Sequence, residues 1–209
     1  MRIIAGEFRS RTLAAPSGLA TRPTSDRLRE TLFNVLAPRI EGVAFLDLYA
    51  GSGAVGIEAL SRGAANIVFV ERAPAALAVL RGNLARLGLR AGFQIHAGSV
   101  GSWLRKSGTG GGLGRKAGRE PERKSGLVFN LVFLDPPYDA AREYAATLGL
   151  LGSCAAGLLV PDALVIAEHR RKEQLEDRYG LLERTRLLEQ GDAALSFFAL
   201  ARSSAPEIH

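Results

Sequence analysis

The 209-residue sequence predicts an α/β fold with a mainly parallel sheet and an antiparallel edge. Three observations lead there. Phe45 to Ala64 reads as strand, glycine turn and helix. Short apolar runs then alternate with helical patterns as far as Glu168, the signature of strand–helix–strand crossovers. Finally, Leu181–Leu188 and Leu195–Leu200 follow one another directly, as an antiparallel pair at the edge of such a sheet would.

Met1 to Ala14 alternates loosely around Gly6 and predicts a short β-hairpin with Arg2, Arg9 and Arg11 on its open face. Pro16 to Arg22 is a loop. Pro23-Thr24-Ser25-Asp26 carries helix-start chemistry, and Leu28, Leu32, Phe33, Val35 and Leu36 give that helix an apolar face before Pro38 ends it. Arg22, Arg27 and Arg29 lie near its beginning. Phe45–Leu48 is a strand, and Ala54–Ser61 a helix with Val55, Ile57 and Leu60 apolar. Ile67–Val70 is a strand ending at Glu71, and Ala75–Leu87 a helix striped by Leu77, Leu80, Leu84 and Leu87, closed by Gly88. Phe93–Ile95 is a weaker strand, and Val100–Leu104 begins a helix in which Trp103 reads as a core anchor. Leu127–Leu134 is the most hydrophobic strand. Tyr144, Leu148 and Leu151 mark the next helix, and Ala163–Ala167 a strand after a Pro161-Asp162 turn.

This organisation predicts an N-terminal hairpin and helix extension over 1–38, a main domain over 39–202 and a fraying tail over 203–209. Lys106 to Gly126 is rich in glycine, lysine and arginine and too poor in apolar residues to pack, which predicts a mobile basic insertion at 106–126. Such a segment reads either as an electrostatic tether for nucleic acid or, in preference, as a tolerated loop insertion, since closing a longer loop costs only about 0.6 kcal/mol per doubling of length.

Net charge is +6 and unevenly placed. Residues 1–30 carry +3 and residues 105–126 carry +5, so the remainder is slightly acidic. Cations gathered at the N-terminal end suit a polyanion such as nucleic acid. One cysteine, Cys154, and three histidines exclude an internal disulfide framework and argue against a structural zinc site. No apolar run reaches the length of a membrane span and no signal-peptide core is present, so a cytoplasmic protein is expected.

Gly51, Gly53 and Gly56 satisfy the spacing G-x-G-x-x-G, and Glu71 lies 20 residues after Gly51, where an acid that grips ribose hydroxyls is expected. Alone, that pattern fits either a nicotinamide dinucleotide or S-adenosylmethionine. Asp47, just before the turn, is unfavourable beside a pyrophosphate and favourable beside an ammonium and a sulfonium.

Asp135-Pro136-Pro137-Tyr138 ends the most hydrophobic strand, at the edge where α/β sheets bind ligands. The Asp135 carboxylate and the Pro136 carbonyl, freed from competition by the following proline, are two acceptors for one amino group. Tyr138 supplies a ring to stack on the base that bears it. A nucleobase amine is a poor nucleophile because its lone pair is delocalised into the ring. Two acceptors on its hydrogens favour a pyramidal nitrogen, and alignment alone can contribute about 7–11 kcal/mol. A stacked base cannot reach such a pocket, so a flipped or single-stranded nucleotide is implied.

On these residues the chain resembles the S-adenosylmethionine-dependent methyltransferases, and within them the bacterial 16S ribosomal RNA guanine-N2 methyltransferases of the small subunit. The similarity runs through Arg2-Ile3-Ile4-Ala5-Gly6, Arg22-Pro23-Thr24-Ser25-Asp26-Arg27, Arg29-Glu30-Thr31-Leu32-Phe33-Asn34, Leu46-Asp47-Leu48-Tyr49-Ala50-Gly51-Ser52-Gly53, Glu58-Ala59-Leu60-Ser61-Arg62-Gly63 and Asp135-Pro136-Pro137-Tyr138. The resemblance implies a Rossmann-like fold with a seven-stranded sheet. It implies Asp47, Tyr49, Gly51, Gly53 and Glu71 around S-adenosylmethionine, and Asp135, Pro136 and Tyr138 at the target base. It implies Arg2, Arg9, Arg11, Arg22 and Arg27 facing 16S rRNA, no metal, and a monomer acting on an assembled or assembling small subunit. After the third strand the family places an acid near the cofactor adenine. Here Gly98-Ser99 stands instead, with Ser99 the candidate substitute.

Three other readings share part of this pattern. DNA adenine-N6 methylation would use the same Asp135 to Tyr138, although a chain this short leaves little room for a target-recognition domain. A nucleic-acid-binding module without catalysis would keep the basic face alone, and a nicotinamide oxidoreductase would use only the glycine turn.

Overall fold

Strand β1 (Ala44–Leu48) is buried from Phe45 to Leu48 and lies inside the sheet, with a parallel strand on either side. The computed structural model of the chain describes residues 1–15, 26–108, 128–137 and 141–201. In chain order, α1 (Asp26–Leu36) and a 3-10 turn (Ala37–Arg39) precede β1. Then come α2 (Ala54–Ser61), β2 (Asn66–Glu71), α3 (Pro74–Arg86), β3 (Phe93–Ala97) and α4 (Val100–Gly108). The second half holds β4 (Phe129–Leu134), α5 (Ala141–Leu158), β5 (Leu159–Arg170), β6 (Arg178–Tyr179), β7 (Leu182–Gln190) and β8 (Ala193–Leu200).

The sheet order is β3-β2-β1-β4-β5-β8-β7-β6, with β1 to β5 mutually parallel and β8, β7 and β6 joined antiparallel. This is the Rossmann-like arrangement expected, with one addition: the two-residue β6 makes an eighth strand on the outer edge. Strand order reverses between β1 and β4, which is where open α/β sheets leave a crevice for ligands.

Alternate residues of the central strands feed two cores. Phe45, Phe69, Phe133, Ile166 and Phe197 pack with Leu28, Leu32 and Leu36 of α1, Ile57 of α2, and Leu80 and Leu84 of α3. Leu46, Leu48, Val70, Val132, Leu134 and Val165 pack with Val100 and Leu104 of α4 and with Tyr144, Leu148 and Leu151 of α5. Each fully buried Leu or Phe contributes about 1.5–3 kcal/mol, so helices on both faces are what hold so apolar a sheet in water. Trp103 packs only at the rim of the second core, between the rings of His96 and Phe129.

Three local expectations are revised. The N-terminal hairpin is a reversal with a single bridge, Arg2 to Thr12: the N–H groups of Ile3, Ser10 and Leu13 still bond across it, while those of Ile4, Ala5, Glu7 and Phe8 go to α2. Ile4 and Ala5 donate to the Glu58 carboxylate at 2.8 and 3.0 Å, and Phe8 donates to Ser61 Oγ at 3.0 Å. Gly6 is obligatory there, since a Cβ would lie 1.7 Å from the Ser61 carbonyl oxygen. Pro161-Asp162 is no turn but part of β5, taken up where the register against β4 shifts between Phe129 and Leu131. Arg29, counted among the clustered N-terminal cations, is 0% exposed. It donates to the Arg2 carbonyl, pairs with Asp26 at 3.0 Å and faces Glu58 at 3.8 Å. The basic insertion, Arg22, Tyr138 and the tail over 203–209 lie outside the described residues, apart from the start of the insertion at the end of α4.

Candidate active site

The carboxyl ends of β1, β2, β4 and β5 bring the candidate residues to one edge. Leu48 is in register with Val70 on one side and Leu134 on the other, and Leu134 with Ala167. Tyr49, Glu71, Asp135 and Glu168 are therefore the next residues along four adjacent strands.

The turn after β1 is built around carboxylates. Asp47 is 2% exposed, and its Oδ2 accepts from the Gly56 N–H in the first turn of α2 at 2.9 Å. Burial, with the Glu71 charge adding to it against the Gly56 hydrogen bond, pushes the Asp47 carboxyl up to about 7. Glu71 accepts three backbone N–H groups: Gly51 at 2.8 Å on one oxygen, Arg72 at 2.8 Å and Ala73 at 2.7 Å on the other. A carboxylate offers roughly four acceptor sites, so about one remains, on the oxygen that holds Gly51. Glu71 thus has room for one ribose hydroxyl and spends the rest on shaping the turn.

Gly53 has φ +79, and a Cβ on it would lie 2.2 Å from Leu80 Cδ1. Gly51 has φ +56, but a Cβ there would meet only the Tyr49 carbonyl at 3.9 Å, so the backbone at Gly51 borders open space. Gly53 is thus fixed by packing, while Gly51 leaves its approach clear. Tyr49 itself sits at φ +63, a conformation a bulky residue holds only when its surroundings impose it. They do so through its hydroxyl, which lies 2.8 Å from Glu143 Oε2 and 2.6 Å from Thr147 Oγ1, both on α5. Those bonds engage the Tyr49 hydroxyl with protein, so a cofactor would meet its ring or backbone.

At the end of β4, Asp135 is half-buried and Pro136 buried. Burial holds the Asp135 carboxyl well above the usual carboxylate range, and the neighbouring charges of Glu168 and Asp47 push the same way. Glu168, 2% exposed, lies beside Asp135, and the sequence marks it only as an acid at a strand end. Its backbone carbonyl accepts the Tyr144 hydroxyl at 2.9 Å, tying α5 to this edge. Next to it, buried His169 has its pKa lowered chiefly by that burial, and its Nε2 lies 2.8 Å from Ser196 Oγ.

Ser99 is exposed and caps α4, its hydroxyl accepting from Ser102 N at 3.3 Å. Arg2, Arg9, Arg11 and Arg27 are all exposed. The first three share the N-terminal arm (residues 1–14), and Arg11 reaches across to the Arg86 carbonyl at the end of α3, 3.3 Å away. Among the described residues no group of three or more His, Cys, Asp or Glu is arranged to hold a metal ion, and no helix is long and apolar enough to cross a membrane.

Comparison with known proteins supplies a second line of observation. The model of the family described as Conserved hypothetical protein 95 matches residues 1–199. The chain is 38% identical to ribosomal RNA small subunit methyltransferase D of Escherichia coli strain K12 over 168 residues, covering 80% of this chain and 74% of that one. It is 34% identical to the protein of the same name from Haemophilus influenzae over 177 residues, covering 84% and 81%. The solved structure of Escherichia coli yhhF superposes with a TM-score of 0.76 at 32% identity, covering 97% of this chain and 99% of that one.

Proposed function

Because the chain belongs to the Conserved hypothetical protein 95 family, we propose that it methylates the N2 amine of a guanine in the 16S rRNA of the small ribosomal subunit, with S-adenosylmethionine as donor. The observation that carries this reading is the placement of Asp135 and Pro136 beside the glycine turn at the β1/β4 crevice. The residues present fit the donor. The Asp47 and Glu71 carboxylates flank the glycine turn, which suits a ligand carrying an ammonium and a sulfonium and opposes a pyrophosphate. The open approach at Gly51 leaves space for the chain of such a ligand.

When bound, the cofactor supplies an electrophilic methyl group on a cationic sulfur. Gly51, Gly53 and Asp47 would hold its amino-acid end and Glu71 one ribose hydroxyl. Ser99, exposed at the start of α4, would lie at the adenine end. At the base, the Asp135 carboxylate and the Pro136 carbonyl accept the two amine hydrogens, and Tyr138 stacks on the ring. Asp135 then takes the proton that the methylated nitrogen must shed, a task suited to a carboxyl whose proton affinity burial has raised. Arg2, Arg9, Arg11, Arg22 and Arg27 contact RNA phosphates. In this reading the enzyme works as a cytoplasmic monomer on an assembled or assembling particle.

The test incubates the protein and donor labelled in the methyl group with small ribosomal subunits, free 16S rRNA and duplex DNA, then identifies the labelled nucleoside. N2-methylguanosine in rRNA is expected. Label in DNA adenine alone would refute the assignment.

A further inference from the structure

Asn83, on α3, is 1% exposed and joins two segments that are far apart in sequence. Its Oδ1 accepts from the Ala14 N–H at 2.9 Å, and its Nδ2 donates to the Ala14 carbonyl at 3.1 Å. The same Nδ2 donates to the Ser52 carbonyl at 2.9 Å. Pairing both the N–H and the C=O of one residue is what a neighbouring strand would do. The end of the arm is thus docked on a side chain in place of a strand. Ser52 is the middle residue of Gly51-Ser52-Gly53, the turn proposed to hold the cofactor.

An asparagine amide is planar, with two donors fixed relative to its acceptor. A rotation that suits Ala14 differently also displaces the donor to Ser52. Water cannot readily replace either bond at so buried a position, so the two segments shift together or each leaves a polar group unpaired. The rest of the arm reinforces this union. Glu58 and Ser61 bind it to α2, which starts directly after Gly53, and Arg11 binds it to the end of α3.

We infer that Asn83 is a positioning residue that couples the arm to the cofactor turn, so that RNA along the arm and cofactor in the turn strengthen each other's binding. This rests on the reading above that the arm faces RNA. Two ligands that favour one arrangement of a shared element raise each other's affinity by the same factor.

The test measures the affinity of S-adenosylhomocysteine, which permits no turnover, with and without saturating 16S rRNA, in the wild type and in Asn83→Leu. Coupling of at least about fivefold is expected in the wild type. In the variant it should fall within about twofold of none. A purely structural role for Asn83 would weaken both bindings and leave that ratio unchanged. An unchanged ratio, or no coupling in the wild type, overturns the inference. A second measurement needs neither RNA nor a variant. In the wild type, saturating S-adenosylhomocysteine should slow hydrogen exchange at the Ala14 amide at least about fivefold, while the Gly42 amide, bonded to the Gly63 carbonyl, serves as control. This decides the matter if Asn83→Leu does not fold or RNA does not bind, and an unresponsive Ala14 amide refutes the link. Failure of RNA binding with a responsive Ala14 would reject the RNA-facing arm and keep the coupling of arm to turn.

Discussion

Asp47 should make the stability of this protein fall between pH 5 and pH 8. Its carboxyl has an ordinary value of 3.8 when unfolded and about 7 when folded. The folded value is the higher one, so the folded state binds the proton more tightly. The resulting stabilisation is complete below about pH 4 and is lost as pH rises through about 7. One pH unit corresponds to about 1.4 kcal/mol over the interval where the two states differ by one proton. From pH 5 to pH 8 that amounts to about 2.5 kcal/mol. Asp47→Asn removes the titration and keeps an oxygen to accept from Gly56. Asp135 loses a neighbouring charge in the variant, which shifts the comparison in the same direction. Urea denaturation across this range would read the difference as a midpoint displacement of about 1 M at a slope of about 2 kcal/mol/M. The variant should gain on the wild type steadily as pH rises. Parallel profiles would show that Asp47 is ionised in the folded state throughout, and the burial argument would be wrong.

Asp135→Ala should reduce methyl transfer by several orders of magnitude while calorimetric cofactor affinity changes less than about threefold, since the residue is assigned to the base; near wild-type turnover would discard that role. Because Asp135 must be ionised to accept the amine hydrogens, and its pKa is raised, the single-turnover rate should climb with pH beyond the ordinary carboxylate range. Glu58→Gln turns one acceptor of the Ile4 and Ala5 amides into a donor while Arg29 keeps Asp26, and should cost about 1–3 kcal/mol in denaturation, with faster exchange at those two amides. Gly53→Ala should destabilise more than Gly42→Ala: both glycines have positive φ, worth about 1–2 kcal/mol, but only at Gly53 would the new Cβ strike Leu80. Replacing Arg2, Arg9 and Arg11 by glutamine should reduce the salt slope of RNA binding by about 2, since each phosphate that an arginine neutralises adds about 0.7 to that slope.

Much of this was legible in the sequence where the signal is local. The β1-turn-α2 unit announces itself through an apolar run, three glycines and a helical period, and Asp135 through its tandem prolines. What escaped depends on contacts across the chain. Arg29 reads as one more N-terminal cation until Glu58, in the helix after β1, is seen opposite it. Glu71 reads as a ribose ligand, yet three N–H groups from the turns after β1 and β2 already engage it. Asn83 carries no pattern at all, because its meaning lies in Ala14 and Ser52. Pro161 reads as a turn because proline donates nothing to a ladder, and the shifted register at that point of β5 accommodates it.

The N-terminal arm is fastened mainly by its main chain. The amides of Ile4, Ala5, Glu7, Phe8 and Ala14 and the carbonyls of Arg2, Ala5 and Ala14 make its attachments, with Ile3 and Leu13 as apolar anchors. Side chains such as those of Arg2, Arg9 and Thr12 are consequently spared from structural duty. A lineage can rewrite them one at a time, retuning which surface the arm greets, without ever loosening the arm from the body that carries it.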